Sequence, residues 1–455
     1  MINIRGKNVT VFGLGQSGIA CAKKLVELGA NVTATEKRTE DELDKNNVSM
    51  LRDLGVKLEL GGHTSGSTEK SSLIVMSPGI HIDIPVIKDA KSRGVPVISE
   101  IELAFNFIKK PIIAVTGTNG KTTTVSLISE MLKSSGKRTV AAGNIGNPLI
   151  SIDDKNLDII VLEVSSYQLE TIATFKPWIS ILLNITEDHM ERHKSMDEYA
   201  KAKSRIFENQ DSGGFTIYNA DDRYIQSVIN NSKAKLIPFS LKQELEYGLF
   251  LRDNGLIAKL SSEEIEVCKK DEMKLIGGHN IENALASVAA GLISGINLQS
   301  IKKTLSNFEG LEHRIEHVKT LSGVDFYNDS KGTNPDSTIA ALKTLGSNIV
   351  LIAGGKDKGV DISHLVAEIK KTSRITILIG EAKKRFHDAL TSQGFNNVLS
   401  ASSLQDAVKT AFEKAKKGDK VLLSPACSSF DMFRNFEERG ALFKDTVMAL
   451  KEIKK

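Results

Sequence analysis

The residues best placed to do chemistry lie in the stretch AVTGTNGKTTT, positions 114–124. An apolar run, PIIAV, comes before it, and Val125, Ile128, Met131 and Leu132 follow at spacings that fall on one helical face. Gly117, Gly120, Lys121 and Thr122 at a strand-to-helix turn suit a phosphate. Backbone N–H groups at the helix start can ring its oxygens, a lysine can neutralise its terminal charge, and a threonine hydroxyl can bind Mg²⁺. The strict GxxxxGK[ST] pattern requires glycine where Val115 stands, so only the mechanical part of the motif is met. A glycine-rich turn with a surface lysine is the plainer alternative, but Gly-Lys-Thr-Thr falls where phosphate chemistry needs it.

A second glycine turn, FGLGQSG, spaces Gly13, Gly15 and Gly18 as GxGxxG, with Glu36 18 positions beyond Gly18. That spacing fits a dinucleotide fingerprint, but the same turn can hold the diphosphate of another nucleotide or be purely structural. Glu163 ends the run LDIIVLE, and Asp188 and His189 follow ISILLNITE, at strand ends where an α/β sheet presents residues to a ligand. A carboxylate and an imidazole beside a phosphate loop can hold one or two Mg²⁺ ions, although a lone strand-end Glu can equally be solvated.

Lys201, Lys203 and Arg205 in DEYAKAKSRIF read as readily as a solvated helix face. Asn280 and Asn283 in GGHNIENALAS can cap a helix or bond an adenine edge, the cap being the simpler role for Asn280. Late in the chain, FYNDSKGTNPDS, AGGKDKGVD and LLSPACSSFDMFRNFEERG each follow an apolar strand. They supply Asp329, Lys331, Thr333, Lys358, Ser428, Ser429 and Arg439, types that suit a small carboxylate-bearing substrate. Turn chemistry alone also accounts for the Asn, Asp, Ser and Gly there.

Positioning these groups requires strands that alternate with helices, and the chain supplies them almost throughout, which predicts an α/β protein with mostly parallel sheets. VTVFGLG, VTATE, LIVMSPG and VPVIS read as strands of a first unit, with a break near residue 97. PIIAVTG, RTVAAGN, LDIIVLEVSS, WISILLNIT and GFTIYNADD predict a second, larger sheet, and GLFLRDNGLIAKL a hairpin around Asp253, Asn254 and Gly255 in a small antiparallel addition. A linker near 310 leads to VDFYNDS, NIVLIAGG, RITILIG, NVLSAS and KVLLSPA, a third, nucleotide-binding-like series. The terminal KEIKK reads as a solvated helix end.

At 455 residues, two or three domains are expected, and 40% hydrophobic with 25% charged content is ordinary for a soluble globular chain. A net charge of +4 is too small to argue for nucleic acid or an acidic membrane. Cys21, Cys268 and Cys427 are far apart with no metal-ligand spacing, which fits a reduced, cytoplasmic protein. No signal-peptide pattern opens the sequence, and no apolar run approaches the ~18 residues of a membrane span.

In their order, TGTNGKTTT, LEVSSYQL, NITEDHMERH, YAKAKSRIF, GGHNIENALA, LEHRIE and NDSKGTNPDS resemble the successive motifs of the Mur ligase family from end to end. GLGQSG with SPGI, and the ending LSPACSSFDMFRNFEERG, are most similar to the member that adds D-glutamate to UDP-N-acetylmuramoyl-L-alanine. An Asp-Asn-Pro-Arg motif, expected in the member that adds the diamino acid, is absent. The resemblance implies three domains: a Rossmann-like UDP-binding domain over 1–97, a central P-loop ATPase-like domain over 98–310, and a C-terminal Rossmann-like domain over 311–455 that binds D-glutamate. It implies ATP-driven amide formation through an acyl phosphate, in a cytoplasmic monomer whose partners are these small molecules and neither nucleic acid nor membrane.

Carried residue by residue, the resemblance places Gly117, Thr118, Asn119, Gly120, Lys121, Thr122 and Thr123 on ATP, with Asn280, Asn283, Arg314, Asp329 and Lys331 on the nucleotide side. Thr122, Glu163, His189 and Lys203 would hold two Mg²⁺ ions, Lys203 as a carbamate; Lys121, Lys203, His189 and Glu163 form the catalytic set. Gly15, Gln16, Ser17, Glu36, Lys37, Arg38, Ser77 and Gly79 would hold the UDP moiety, with Asn144 near the reacting carboxylate. His313, Thr333, Lys358, Ser429 and Phe436 would lie near D-glutamate. Gly332 stands where the family also carries Ala.

Other readings leave residues unused. An NAD-dependent dehydrogenase built on GLGQSG does not explain the Lys121 loop, and a P-loop switch gives the last series no substrate. The ending, and the lack of a longer N-terminal extension, speak against the L-alanine-adding ligase and a folylpolyglutamate synthetase.

Overall fold

Apolar runs of four to six residues, punctuated by Gly, Asn and Pro, become the strands of three sheets in the computed structural model, which describes residues 2–144, 146–190, 192–275 and 277–452. The chain divides into two compact units: the second comprises the chain from Asn307 onward with the segments Thr186–Met190 and Met273–Ile281, and the first comprises the remainder.

The first unit carries two sheets. In the first are β1 (Asn8–Phe12), β2 (Asn31–Glu36), β3 (Lys57–Leu60), β4 (Leu73–Met76) and β5 (Val97–Ser99), all parallel in the order β3-β2-β1-β4-β5. In the second are β6 (Ile112–Thr116), β7 (Thr139–Gly143), β8 (Ile159–Glu163), β9 (Ile179–Leu182), β10 (Phe215–Asn219), β11 (Lys235–Ser240), β12 (Gly248–Arg252), β13 (Gly255–Lys259) and β14 (Ile265–Lys269). Their order is β14-β13-β12-β11-β10-β9-β6-β8-β7, so the antiparallel β12–β14 meander extends the parallel sheet rather than standing apart. Its predicted hairpin pairs Arg252 with Gly255, and Asp253 turns the chain at φ 51°.

The second unit carries β15 (Glu316–Leu321), β16 (Val324–Asn328), β17 (Ile349–Gly354), β18 (Ser373–Ile379), β19 (Val398–Ser400) and β20 (Lys420–Leu423) in the order β15-β16-β20-β17-β18-β19. Only β15 runs antiparallel to its neighbour. Because strand side chains alternate, Val350 and Ile352 enter one apolar layer with Phe326, Phe412 and Phe443, while Leu351 and Ala353 enter the other with Leu365 and Phe386. Both faces are covered, which explains the near-continuous apolar strands.

Four strands escape a reading by apolar runs: β3, β11, β14 and β15. KLEL and EHVKTL are short of apolar residues and lie at or beside a sheet edge, IEVCK is an exposed edge, and KLIPFS carries Pro238, which ordinarily demotes a strand. Pro238 is accommodated because β11 bonds to β12 only beyond it, through Phe239 and Ser240. The final helix, Phe436–Met448, ends before KEIKK, so Lys451 and Glu452 are exposed non-helical residues, and 453–455 lie outside the described residues.

A short helix, Glu100–Phe105, ties the two sheets of the first unit together through two buried acids. Glu102 accepts from the backbone N–H groups of Ala173 (3.0 Å), Thr174 (2.9 Å) and Phe175 (2.8 Å) and from the Thr174 hydroxyl (2.6 Å). Hydrogen bonds to a charged group contribute about 1.5–3 kcal/mol each, so this is a strong anchor. Glu100 accepts from Ile150 N (2.7 Å), while its Oε2 is buried without a partner. Burial pushes its carboxyl up to about 7 against the opposing pull of the Ile150 and Leu149 N–H groups. The folded protein therefore holds a proton there that the unfolded chain releases near 4.5, and this group makes stability fall as pH rises between about 4.5 and 7. Glu100→Gln is expected to flatten that part of the slope; Tm compared at both ends of this window in wild type and variant measures it, and an unaltered slope contradicts it.

Candidate functional site

Val115, where a literal motif would carry glycine, is a fully buried residue of β6 in register with Glu163 of β8. The turn proper begins at Gly117, and the helix Lys121–Ser134 starts directly after Gly120, which sits at φ 85°. A Cβ on Gly120 would fall 2.2 Å from Asn283 Oδ1, so glycine is demanded twice, by conformation and by space.

Backbone and side-chain bonds from β9 onward hold this turn. Thr118 N donates to Asn184 O (2.9 Å), Asn119 N to Asn184 Oδ1 (2.8 Å), and Asn184 Nδ2 returns a bond to Asn119 O (3.1 Å). Lys121 Nζ donates to Gly117 O (2.8 Å) and Thr118 O (2.7 Å), and the buried Lys203 donates to the same Gly117 O (2.8 Å) from above the Tyr199 ring at 4.5 Å. Two ammonium groups that share one carbonyl oxygen make the turn a place for negative charge. Thr122 is the second residue of the helix, and Thr124 Oγ1 donates to Asn283 Oδ1 (3.3 Å).

Glu163, buried at the end of β8, accepts from Asn144 Nδ2 (3.0 Å) through Oε1; its Oε2 is buried with no hydrogen-bond partner. Asn144 N also donates to Glu163 O (3.0 Å), so the two predicted residues are joined at the sheet's edge. A buried carboxylate oxygen that lacks a donor is suited to a cation.

In the first sheet the close approach expected of the third fingerprint glycine is present: a Cβ on Gly18 would fall 1.8 Å from Gly13 O. Gly15 precedes the helix Gln16–Glu27 with open space around it, and Gln16 is exposed. Ser77 Oγ donates to Gly13 O (3.1 Å), while Gly79 and Lys37 stand nearer the surface. Glu36 is less free than the spacing suggests. Its Oε2 accepts from Leu14 N (2.7 Å) and Arg38 Nη2 (3.0 Å), and its Oε1 from Arg38 N (3.2 Å). Burial would raise its pKa, but Arg38 and the two N–H groups outweigh it and lower it to about 2. Glu36 thus braces the glycine turn as a carboxylate.

The second unit gathers a separate set. Asp329 at the end of β16 accepts from Ser424 Oγ (2.6 Å) and Ile315 N (3.3 Å), and burial pushes its carboxyl up to about 7 against Ser424, Arg314, Ile315 N and Arg439. Lys331 Nζ lies 5.2 Å from the centre of the Phe436 ring, which meets the His313 ring edge-on at 6.2 Å. Asn328 donates to His313 Nδ1 (2.9 Å), leaving the ring proton on Nε2. Thr333 N bonds Lys331 O (2.9 Å), and the buried Ser429 accepts from Met432 and Phe433 N–H through its carbonyl. Gly332 is not exchangeable for Ala at fixed backbone, because a Cβ would meet Asp329 Oδ2 at 2.5 Å.

His189, at φ 59°, lies with Asp188, which pairs with Lys358 (3.3 Å) and Asn334 Nδ2 (3.1 Å). Burial opposes ionisation of Asp188, but the Lys358 and His189 charges and the Asn334 amide keep its pKa below the usual value. Asn280 is the third residue of the helix Gly278–Ile293 and buried, so the capping role is corrected: it lies inside the first turn. Among the described residues, Glu312, His313 and Glu316 also cluster closely enough to suggest a metal, yet Lys444 Nζ donates to both carboxylates at 2.7 Å.

Sequence reading passed over Asn184, Tyr199, Asn334 and Ser424; Arg439, which it offered for a carboxylate-bearing substrate, is buried and bonds Ser330 Oγ (3.0 Å), Ser330 O (2.7 Å) and Cys427 O (3.2 Å). All support loops rather than face a ligand directly; for Asn184, its place right after β9 was the available signal.

Comparison with known proteins covers the whole chain. Residues 7–99 match the Mur ligase MurD-like N-terminal domain, 115–291 the Mur ligase middle domain, and 313–427 the Mur ligase glutamate ligase domain. The chain is 44% identical over 454 residues to the UDP-N-acetylmuramoylalanine–D-glutamate ligase of Thermoanaerobacter sp. (strain X514), covering 99% of this chain and all of that one. It is 40% identical over 453 residues to the protein of that name from Clostridioides difficile (strain 630), with 99% and 100% covered. Among solved structures, a pseudomurein peptide ligase type C from Methanothermus fervidus aligns with a TM-score of 0.60 at 20% identity, over 98% of this chain and 100% of that one. MurF ligase from Thermotoga maritima, solved with ADP, aligns with a TM-score of 0.59 at 16% identity, over 98% and 96%. At such identities these structures speak to the fold alone.

Gly120→Ala is expected to weaken binding of ADP by about tenfold or more, since the added methyl displaces Asn283 or the turn itself. Titration calorimetry with ADP measures this, and unchanged affinity contradicts the reading of the turn.

Proposed function

The chain belongs to the Mur ligase family, and from that premise we propose that it joins D-glutamate to UDP-N-acetylmuramoyl-L-alanine in an ATP-driven reaction. The observation that carries this reading is the turn at Gly117–Lys121, where two buried or half-buried lysines converge on one carbonyl beside the helix start. End-to-end identity of 44% with relatives that bear this activity's name supports the choice of substrates.

In the proposed reaction, an oxygen of the alanyl carboxylate attacks the γ-phosphorus of ATP, the bond to the β-phosphate oxygen breaks, and ADP and an acyl phosphate form. The amine of D-glutamate then adds to the carbonyl carbon; the carbon–oxygen bond to phosphate breaks, and phosphate and the amine proton leave. Such chemistry requires charge neutralisation and alignment rather than a protein nucleophile. Gly117, Thr118, Asn119, Gly120, Lys121, Thr122, Thr123 and Asn283 are proposed for ATP in the first unit, and Asn280, Arg314, Asp329 and Lys331 in the second. Lys121 would leave its carbonyl partners for the phosphates.

The partnerless Glu163 Oε2 fits a divalent cation, and Thr122 and Glu163, with Lys203 once carbamylated, are proposed as Mg²⁺ ligands in the first unit, and His189 is proposed as one in the second. Bound there, Mg²⁺ would neutralise phosphate charge. Carbamylation would join the Lys203 nitrogen to the carbon of carbon dioxide with loss of two protons from the ammonium, turning a buried cation into an anion and relieving its repulsion from Lys121.

Gly15, Gln16, Ser17, Glu36, Lys37, Arg38, Ser77 and Gly79 are proposed for UDP, with Glu36 acting through the turn it braces, and Asn144 for the reacting carboxylate. His313, Thr333, Lys358, Ser429 and Phe436 are proposed for D-glutamate. The three sheets correspond in this reading to a UDP domain over 1–97, an ATP domain over 98–310 and a D-glutamate domain over 311–455. A monomeric cytoplasmic enzyme fits three buried free cysteines and the lack, among the described residues, of a helix long and apolar enough to cross a membrane.

Phosphate release from ATP is expected to require both UDP-N-acetylmuramoyl-L-alanine and D-glutamate, and to fail with L-glutamate. Release without either substrate, or with another amino acid in place of D-glutamate, sinks the assignment and favours a sister ligase or a folylpolyglutamate synthetase-like enzyme. Lys203→Ala is expected to abolish ligation while circular dichroism and Tm report a folded protein; near-normal turnover argues against the carbamate.

A further inference from the structure

Arg192 has no place in the assignments above, yet it joins the two sheets of the first unit at the ligand-facing side of the first. Its side chain is 7% exposed, and its Nη1 donates to Ile80 O (3.0 Å). Nε donates to Glu170 Oε1 (2.9 Å) and Nη2 to Oε2 (2.5 Å), and the guanidinium lies 4.3 Å from the centre of the Tyr167 ring. A planar fork held by a carboxylate and an aromatic face cannot turn, so the donor aimed at Ile80 is fixed in direction.

Ile80 closes the turn that begins at Ser77. Its N–H bonds Ser77 O (3.1 Å), Ser77 Oγ bonds Gly13 O (3.1 Å), and a Cβ on Gly13 would lie 3.1 Å from Ile80 Cγ1. Both turns of the first sheet's proposed site therefore lean on the carbonyl that Arg192 holds. On its other side, His193 bonds Ser166 Oγ (3.0 Å) and packs on the Tyr199 ring at 4.9 Å, and Tyr199 accepts from Thr118 Oγ1 (3.4 Å) in the phosphate turn. The anchors at Glu100 and Glu102 are separate bonds, so the sheets stay joined if Arg192 is changed.

We propose that Arg192 is a positioning residue that sets the Gly13–Gly18 and Ser77–Ile80 turns for the UDP-linked substrate. The inference rests on the substrate reading given above. Misplacement of a positioning element by about 1 Å is enough to cost binding or rate by orders of magnitude.

The test compares wild type, Arg192→Lys, and the double variant Arg192→Met with Glu170→Met, which removes both charges and so leaves neither buried alone. Titration calorimetry with UDP-N-acetylmuramoyl-L-alanine and, separately, with ADP gives the two affinities. Both variants are expected to bind the UDP-linked substrate about tenfold or more weakly, with ADP affinity unchanged within about twofold. A merely structural ion pair predicts instead that the double variant recovers both Tm and substrate affinity, and that result overturns the proposal. Unchanged substrate affinity in Arg192→Lys, or a parallel loss of ADP affinity, also overturns it. Wild-type protein that binds ADP but not the UDP-linked substrate overturns the substrate reading itself.

Discussion

The phosphate turn presents backbone, and backbone can be presented only if something else fixes it. Between Gly117 and Gly120 the chain takes conformations that glycine permits, and Asn184 clamps Thr118 and Asn119 from the next strand. Lys121 and Lys203 close on the Gly117 carbonyl, and Asn283 fills the space a side chain at Gly120 would need. The helix behind it supplies a dipole that favours anions, and this counts only because the turn is rigid. The remainder of the first unit is arranged around that constraint. Strand β8 delivers Glu163 and β7 delivers Asn144 to the same edge of the sheet, and the helix Glu100–Phe105 holds the first sheet to the second.

Charge is distributed to suit the proposed chemistry. The turn concentrates two cations, the half-buried Lys121 and the buried Lys203, while an unbonded carboxylate oxygen waits at Glu163. At the third sheet, Asp329 is pushed towards its neutral form by burial, and Asp188 remains ionised through Lys358 and His189. Two aspartates in one unit are thus driven in opposite directions by their surroundings, the pattern expected where groups have separate tasks.

Much of this was legible in the residues because their types are tied to backbone demands. Gly117, Gly120 and Lys121 announced the turn, and the strand runs gave the parallel sheets and their cores. Three of the edge strands were not legible, since β3, β14 and β15 bury too little to need an apolar pattern, and β11 tolerates a proline at a place only its pairing partner reveals. The supporting residues were hidden for a different reason. Asn184 and Arg192 act on backbone carbonyls or amides distant in sequence, and no local spacing encodes such bonds. Glu36 had a correct position but a more structural task than its spacing implied, because Leu14 and Arg38 already occupy its oxygens.

The central claim is that phosphate received at the Gly117–Lys121 turn activates a carboxylate. Turnover of UDP-N-acetylmuramoyl-L-alanine labelled with ¹⁸O in its alanyl carboxylate tests that most directly. The account predicts that one labelled oxygen per turnover appears in the released inorganic phosphate. Label that stays out of the phosphate while product forms would contradict it.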